Sequence, residues 1–145
     1  MQYINHYKSP IGGITLGSDG ENIIGLWFDG EKYFGDTLYE QTEEKELPVF
    51  DLTKQWLDIY FSGKNPDFTP KYKINNLTPF RKQVIDIMNE IPYGKVITYN
   101  DIALKIAKIK GIKKMSAQAV GGAVGWNPIC IIVPCHRVIG ANNNL

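Results

Sequence analysis

Pro134-Cys135-His136-Arg137, near the end of the chain, sets a thiol beside an imidazole and a guanidinium. An ordinary cysteine, with a pKa of about 8.5, is only a few per cent thiolate at neutral pH, and a neighbouring base or cation raises that fraction. The quartet follows Ile129-Cys130-Ile131-Ile132-Val133, which reads as a buried strand. Proline cannot continue a central ladder, so Cys135 is expected where the backbone leaves the sheet. Adjacent side chains point apart in regular structure, so His136 can serve Cys135 only from irregular backbone or through a water. Two readings of Cys135 stay open, a reactive nucleophile and a small buried residue. For Cys130, inside the apolar run, the buried reading is the expectation. His6, the only other histidine, reads as a surface residue of a strand.

If the run between them is extended, the two cysteines lie roughly 16 Å apart. A disulfide needs Cα atoms within about 7 Å. Both are therefore expected as thiols, in a reducing compartment such as the cytoplasm. No Cys/His spacing suits zinc, so no metal site is expected.

These residues need elements to hold them. The chain has 145 residues, 43% hydrophobic and 21% charged, which suits one globular domain or two small lobes and excludes a disordered or collagen-like chain. No apolar run approaches the roughly 18–20 residues of a membrane span, and the first residues lack a signal-peptide pattern. Three strands are expected at Tyr3–Lys8, Ile14–Leu16 and Ile23–Phe28, separated by Gly- and Ser-containing turns. Residues 31–47 read as irregular, with at most a poor helix. Pro48 opens a better one, whose Leu52, Trp56, Ile59 and Tyr60 share a face, with Gly63 as its stop. Residues 62–76 read as a linker between the lobes.

Thr78-Pro79 then caps and opens a helix with Phe80, Val84, Ile87, Met88 and Ile91 on one stripe. Val96-Ile97 is a short apolar segment. Thr98 and Asp101 have the spacing of a capping box, Ile102, Ile106 and Ile109 face one way, and Gly111 breaks the helix. A further helix at about Met115–Gly125 consists almost entirely of small residues. Each glycine costs up to about 1 kcal/mol of helix stability relative to alanine, so close approach to another surface is the physical reason to accept them. Two short helices around a glycine turn fit a helix-turn-helix or any helical hairpin. Close packing in the core explains the small residues equally well.

Charge separates the halves. Residues 1–70 carry five Lys against twelve Asp or Glu, a balance of −7; residues 71–145 carry nine Lys and two Arg against three acids, a balance of +8. Lys105, Lys108, Lys110, Lys113 and Lys114 fall within ten residues. Such a cluster is either a solvated face or a surface for a polyanion, and its density favours nucleic acid.

The run Gly121-Gly122-Ala123-Val124-Gly125-Trp126-Asn127-Pro128, followed by Ile132-Val133-Pro134-Cys135-His136-Arg137-Val138, closely resembles the methylated-DNA–protein-cysteine methyltransferases, the O6-alkylguanine-DNA alkyltransferases of direct DNA repair. The likeness runs from about Thr78 to the end; the acidic lobe resembles the family's ribonuclease-H-like domain through weaker motifs. The resemblance implies an α/β chain of the α+β kind. Residues 1–70 would form a small ribonuclease-H-like antiparallel sheet with a helix. Residues 71–145 would form a mainly helical DNA-binding and alkyl-acceptor lobe with a winged-helix or helix-turn-helix motif.

It implies chemistry as well. Double-stranded DNA containing alkylated guanine would bind through its minor groove to a monomeric protein, with no membrane or cofactor involved. The damaged base would be flipped out. Cys135 would take the alkyl group irreversibly, His136 would accept the thiol proton through a water, Tyr99 would ease rotation of the nucleotide, and Asn127 would tie the recognition helix to the active-site turn. Pro134 and Val138 would border the base pocket. Contacts to DNA would come from Thr98, Tyr99, Lys114, Ser116, Gln118, Ala119, Gly121, Gly122 and Arg137.

Two departures carry their own expectations. Gln118 stands where the family often has an arginine that fills the gap left by the flipped base, so flipping is expected to be weaker. Family members continue through a Gly-rich loop and a helix bearing a glutamate that orients the histidine, whereas these residues stop at Asn142-Asn143-Asn144-Leu145. DNA binding is therefore expected to outlast catalysis, and a non-catalytic lesion-binding module is the alternative. A Cys-His hydrolase or thiol redox enzyme fits less well, having no evident Asn or Asp partner and no Cys-x-x-Cys.

Overall fold

The computed structural model describes residues 2–31, 34, 35, 38 and 41–140, which divide into two compact units. The first comprises residues 1–76 together with Pro128–Cys130; the second comprises Leu77–Asn127 and the residues from Ile131 onward.

The first unit is a four-stranded sheet with one helix. Strands β1 (Gln2–Ser9), β2 (Gly12–Ser18) and β3 (Ile23–Phe28) form an antiparallel meander, and β4 (Thr42–Glu44) joins it in the order β3-β2-β1-β4. β4 runs parallel to β1, so the sheet is mixed rather than purely antiparallel, and it lies in a stretch expected to be irregular. Its three residues are too few and too polar to show a strand period. Every residue of β3 up to Trp27 is buried, which explains its continuous apolar run. The Trp27 indole lies across Gly25, where a Cβ would overlap the ring. His6 is an exposed residue of β1, 3.4 Å from Glu44.

Helix α1 (Pro48–Phe61) starts at its proline, as the sequence indicates, and ends at Ser62. It buries Val49, Phe50, Thr53, Trp56 and Leu57. The expected face shares only Trp56 with this set: Leu52 is exposed, and Ile59 and Tyr60 are half-buried. Thr53 tolerates burial because its hydroxyl donates to the Val49 carbonyl at 2.7 Å. Tyr7 of β1 donates to Asp58 of α1 at 2.7 Å.

Two distant segments extend the outer edge of β3. Tyr72, expected in a linker, bridges Ile23, and the Ile23 amide donates to Lys71. Ile129 bridges Leu26, whose amide donates to Pro128 at 2.7 Å and whose carbonyl accepts from Cys130 at 3.1 Å. Cys130 is buried, and its thiol lies 3.5 and 3.7 Å from the two carboxylate oxygens of Glu31. Burial pushes the Glu31 carboxyl up, against the hydrogen bonds from Cys130 and Phe28.

The second unit is built on three helices. Helix α2 (Pro79–Asn89) is capped by Thr78, whose hydroxyl accepts from the Arg81 amide at 3.2 Å. Val84, Ile85, Ile87 and Met88 face the core, joined by Ile91 just beyond the helix. Helix α3 (Tyr99–Lys110) opens with both bonds of the capping box between Thr98 and Asp101, each 3.0 Å, and closes at Gly111 in the left-handed conformation, φ +68°. It buries Ile102, Ala103, Ile106 and Ala107, while Ile109 is exposed, against expectation, because at about 100° per residue it falls at the edge of the arc those four residues define, in the last turn of the helix. Helix α4 (Ala117–Trp126) is capped by Ser116 through the Ala119 amide at 3.1 Å. Short strands β5 (Ile97–Thr98) and β6 (Val138–Ile139) pair in parallel, Ile97 with Val138 and Thr98 with Ile139.

Candidate active site

The chemistry-bearing residues sit on a tight turn rather than at the end of a strand. Beyond the bridge at Ile129, the backbone reverses through Ile131, whose φ is +70°. That conformation is costly for a β-branched residue. The expected strand over 129–133 is thus a bridge followed by a turn, and apolar composition alone cannot tell the two apart. Pro134, with φ −81° and ψ 64°, is the centre of an inverse γ-turn closed by the Cys135 amide on the Val133 carbonyl at 2.8 Å. A single 3-10 turn over Cys135–Arg137 follows, with the Arg137 amide donating to Pro134 at 3.0 Å. This is the irregular backbone that the Cys-His order requires.

Asn127, the cap residue at the end of α4, is 2% exposed, and its Nδ2 donates to the Val133 carbonyl at 2.9 Å. The C-terminus of α4 is thereby fixed to the residue that precedes Pro134. Cys135 is half-buried and forms no disulfide. His136 is exposed, yet desolvation, reinforced by the Arg137 charge, lowers its pKa below the usual 6.5. A neutral imidazole is the form that can take a proton. Pro134 and Val138 are buried on either side of the turn, and Val138 pairs with β5.

Through that pairing Thr98 lies beside Ile139, and Tyr99 follows as the first residue of α3. Tyr99 is half-buried against α4: a Cβ placed on Gly121 would lie 3.9 Å from its ring, an ordinary contact distance, so the ring is within van der Waals reach of the helix. Lys114, Ser116, Gln118, Ala119 and Gly122 are all exposed, and a Cβ on Gly122 would meet nothing within 4 Å. The outer face of α4 is therefore shallow and nearly free of side-chain bulk. Arg137 differs from the other expected DNA contacts: its Nη1 donates to the Ile91 carbonyl at 3.1 Å.

A groove of about 430 Å³ runs along α4, between Ala119, Gly122 and Ala123 on one side and Thr78, Phe80 and Arg81 of the α2 start on the other. Phe80, read in the sequence only as part of an apolar stripe, and Arg81 are not among the site residues expected from the sequence. Arg81 lies 3.9 Å over the ring of buried Trp126. The available signal is its place in the first turn of a capped helix, as one of only two arginines in the chain. Among the described residues, no group of three His, Cys, Asp or Glu could hold a metal, and no helix is long and apolar enough to cross a membrane.

Residues 79–145 match the 6-O-methylguanine DNA methyltransferase DNA binding domain, and residues 3–73 match the ribonuclease-like domain of the same proteins. The chain is 36% identical over 143 residues to a methylated-DNA–protein-cysteine methyltransferase of Haemophilus influenzae, covering 99% of this chain and 76% of that protein. It is 38% identical to one from Methanosarcina acetivorans, covering 99% and 86%. Among solved structures, the crystal structure of Mycobacterium tuberculosis O6-methylguanine methyltransferase superposes with a TM-score of 0.78 at 33% identity, covering 100% of this chain and 82% of that one. That of M. tuberculosis OGT in complex with DNA superposes with a TM-score of 0.80 at 32% identity, covering 98% and 81%. Two matched domains in one order, relatives along nearly the whole length, and a thiol turn pinned to a helix of small residues agree: this chain belongs to the methylated-DNA–protein-cysteine methyltransferase family.

Proposed function

We propose that this chain repairs DNA by moving the alkyl group from O6 of guanine onto Cys135, one group per molecule. The observation that carries the reading is a half-exposed thiol on a 3-10 turn next to a histidine held neutral, with Asn127 bonding that turn to the end of α4. Residues 71–145 act on the DNA, and residues 1–70 form the ribonuclease-H-like lobe.

Duplex DNA lies against the outer face of α4, in the minor groove, where Ala119, Gly121 and Gly122 permit close contact. Thr98, Lys114 and Ser116 meet its backbone. The alkylated nucleotide rotates out past Tyr99, and Gln118 takes up hydrogen bonds of the orphaned partner. Pro134 and Val138 flank the extruded base, and the carbonyls of Cys135 and Val138 accept from its exocyclic amine. His136 accepts the thiol proton through a water. The sulfur attacks the alkyl carbon, a new S–C bond forms, the C–O bond breaks, and guanine leaves with the bond's electrons. The product is a thioether that water does not readily cleave, so the protein is consumed. The protein works as a monomer in the cytoplasm, where the thiol stays reduced.

The test is intact-mass measurement after incubation with a duplex carrying O6-methylguanine. One methyl is expected on the peptide containing Cys135, with no turnover beyond one equivalent. Cys135→Ser is expected to abolish the mass gain while keeping its affinity for the duplex. Tight binding by the unsubstituted chain with no mass change would overturn transfer and leave a lesion-binding module.

A further inference from the structure

The transfer mechanism gives Arg137 no direct part, and its surroundings show what it does instead. It is the third residue of the turn that begins with Cys135, and it is half-buried. Its Nη1 donates to the Ile91 carbonyl at 3.1 Å, and its guanidinium carbon lies 5.5 Å from the centroid of the Tyr93 ring. Ile91 is 5% exposed, and its own amide donates to Met88 at 3.1 Å, so it is fixed to the last turn of α2.

The Ile91 carbonyl, two residues past the end of α2, is an acceptor outside the helix's own ladder, and the helix end beside it carries a partial negative charge. A guanidinium is suited to both features, since it stays charged and presents several donors in a rigid fork. An arginine that grips a phosphate needs that fork in solvent. Here one arm is committed inward and the guanidinium carbon lies over an aromatic ring. The main chain of the same residue is held too, through its amide on Pro134. Together with Asn127 on Val133, this places one fastening before Cys135 and one after it, running to different helices.

We propose that Arg137 is a positioning residue for alkyl transfer, fastening the Cys135–Arg137 turn to the end of α2 through the Ile91 carbonyl and the Tyr93 ring, rather than a contact to DNA phosphate. This rests on the transfer reading above. The Arg137 charge also helps keep His136 neutral, in line with the same role.

The test compares the unsubstituted chain with Arg137→Met, Arg137→Lys and Tyr93→Leu on two substrates: a saturating duplex with O6-methylguanine, and O6-benzylguanine as a base without DNA. For Arg137→Met, a loss of about tenfold in the transfer rate is expected on both substrates, since a slightly misplaced reacting group costs one to two powers of ten. The half-saturating duplex concentration and its salt dependence are expected to stay unchanged. Arg137→Lys is expected to recover part of the rate on both. The proposal is overturned if Arg137→Met leaves the free-base rate intact but weakens duplex binding and lowers the salt slope by about one. Should that variant not fold, Tyr93→Leu decides: a slower free-base reaction supports the fastening and an unchanged one overturns it. Failure of the unsubstituted chain to alkylate on either substrate would instead sink the transfer reading, and this proposal with it.

Discussion

The charge on His136 decides whether it can accept a proton, and both its surroundings push it the same way. Desolvation and the neighbouring Arg137 lower its pKa from 6.5. The group is therefore neutral through the physiological range, and protonation begins only as pH falls below the ordinary histidine value. The single-turnover transfer rate should stay level from pH 8 to 7 and show its acid limb below 6.5. A limb centred above that value would show an imidazole stabilised as a cation and would remove His136 as the base. The same depression means that protonation opposes folding of this turn in acid, because the unfolded chain then binds the proton more readily. The identities of Cys135 and His136 are legible in the sequence, because a proline-bounded thiol beside an imidazole is rare chemistry in a short run. The left-handed Ile131 and the inward-facing Arg137 are not. Each depends on partners distant in sequence, such as the Ile91 carbonyl, that no local pattern announces.

At the level of elements, caps were the readable part, since they are local: Thr78, Thr98 and Gly111 begin or end helices where their side chains or φ values satisfy stray backbone groups. Thr98 serves both strand β5 and the capping box of α3, so it joins the paired strands to the helix that begins with Tyr99. Thr98→Ala should destabilise the chain by about 1 kcal/mol, seen as a melting temperature lower by several degrees. An unchanged melting curve would mean that the box contributes nothing. What the sequence hid was pairing and phase. β4 and the Ile129 bridge are defined by strands far away along the chain, and three residues carry no periodicity of their own. In α1 the stripe through Leu52 and Tyr60 was as apolar as the one actually buried; the choice between them was made by the packing of the helix on β1 and β2.

Across the whole molecule, the −7 and +8 halves of the sequence correspond closely to an acidic sheet-bearing unit and a basic helical one. Binding to any duplex, damaged or not, should weaken steeply with added salt, as the slope of log K against log salt is about −0.9 for each phosphate neutralised. Titrations of Cys135→Ser at several salt concentrations measure that slope, and a flat response would reject the basic unit as a polyanion surface. The division is not a clean cut in the chain, however. Pro128–Cys130 come late in sequence but complete the edge of β3, with Ile129 wholly buried there. A fragment begun at Leu77 would carry those three residues without Leu26 to receive them, leaving a bare aliphatic side chain and two unanswered peptide groups just upstream of the reactive sulfur. Dissection at the apparent seam should therefore give a sticky, poorly reactive piece, and supplying the missing sheet as a separate polypeptide should restore it.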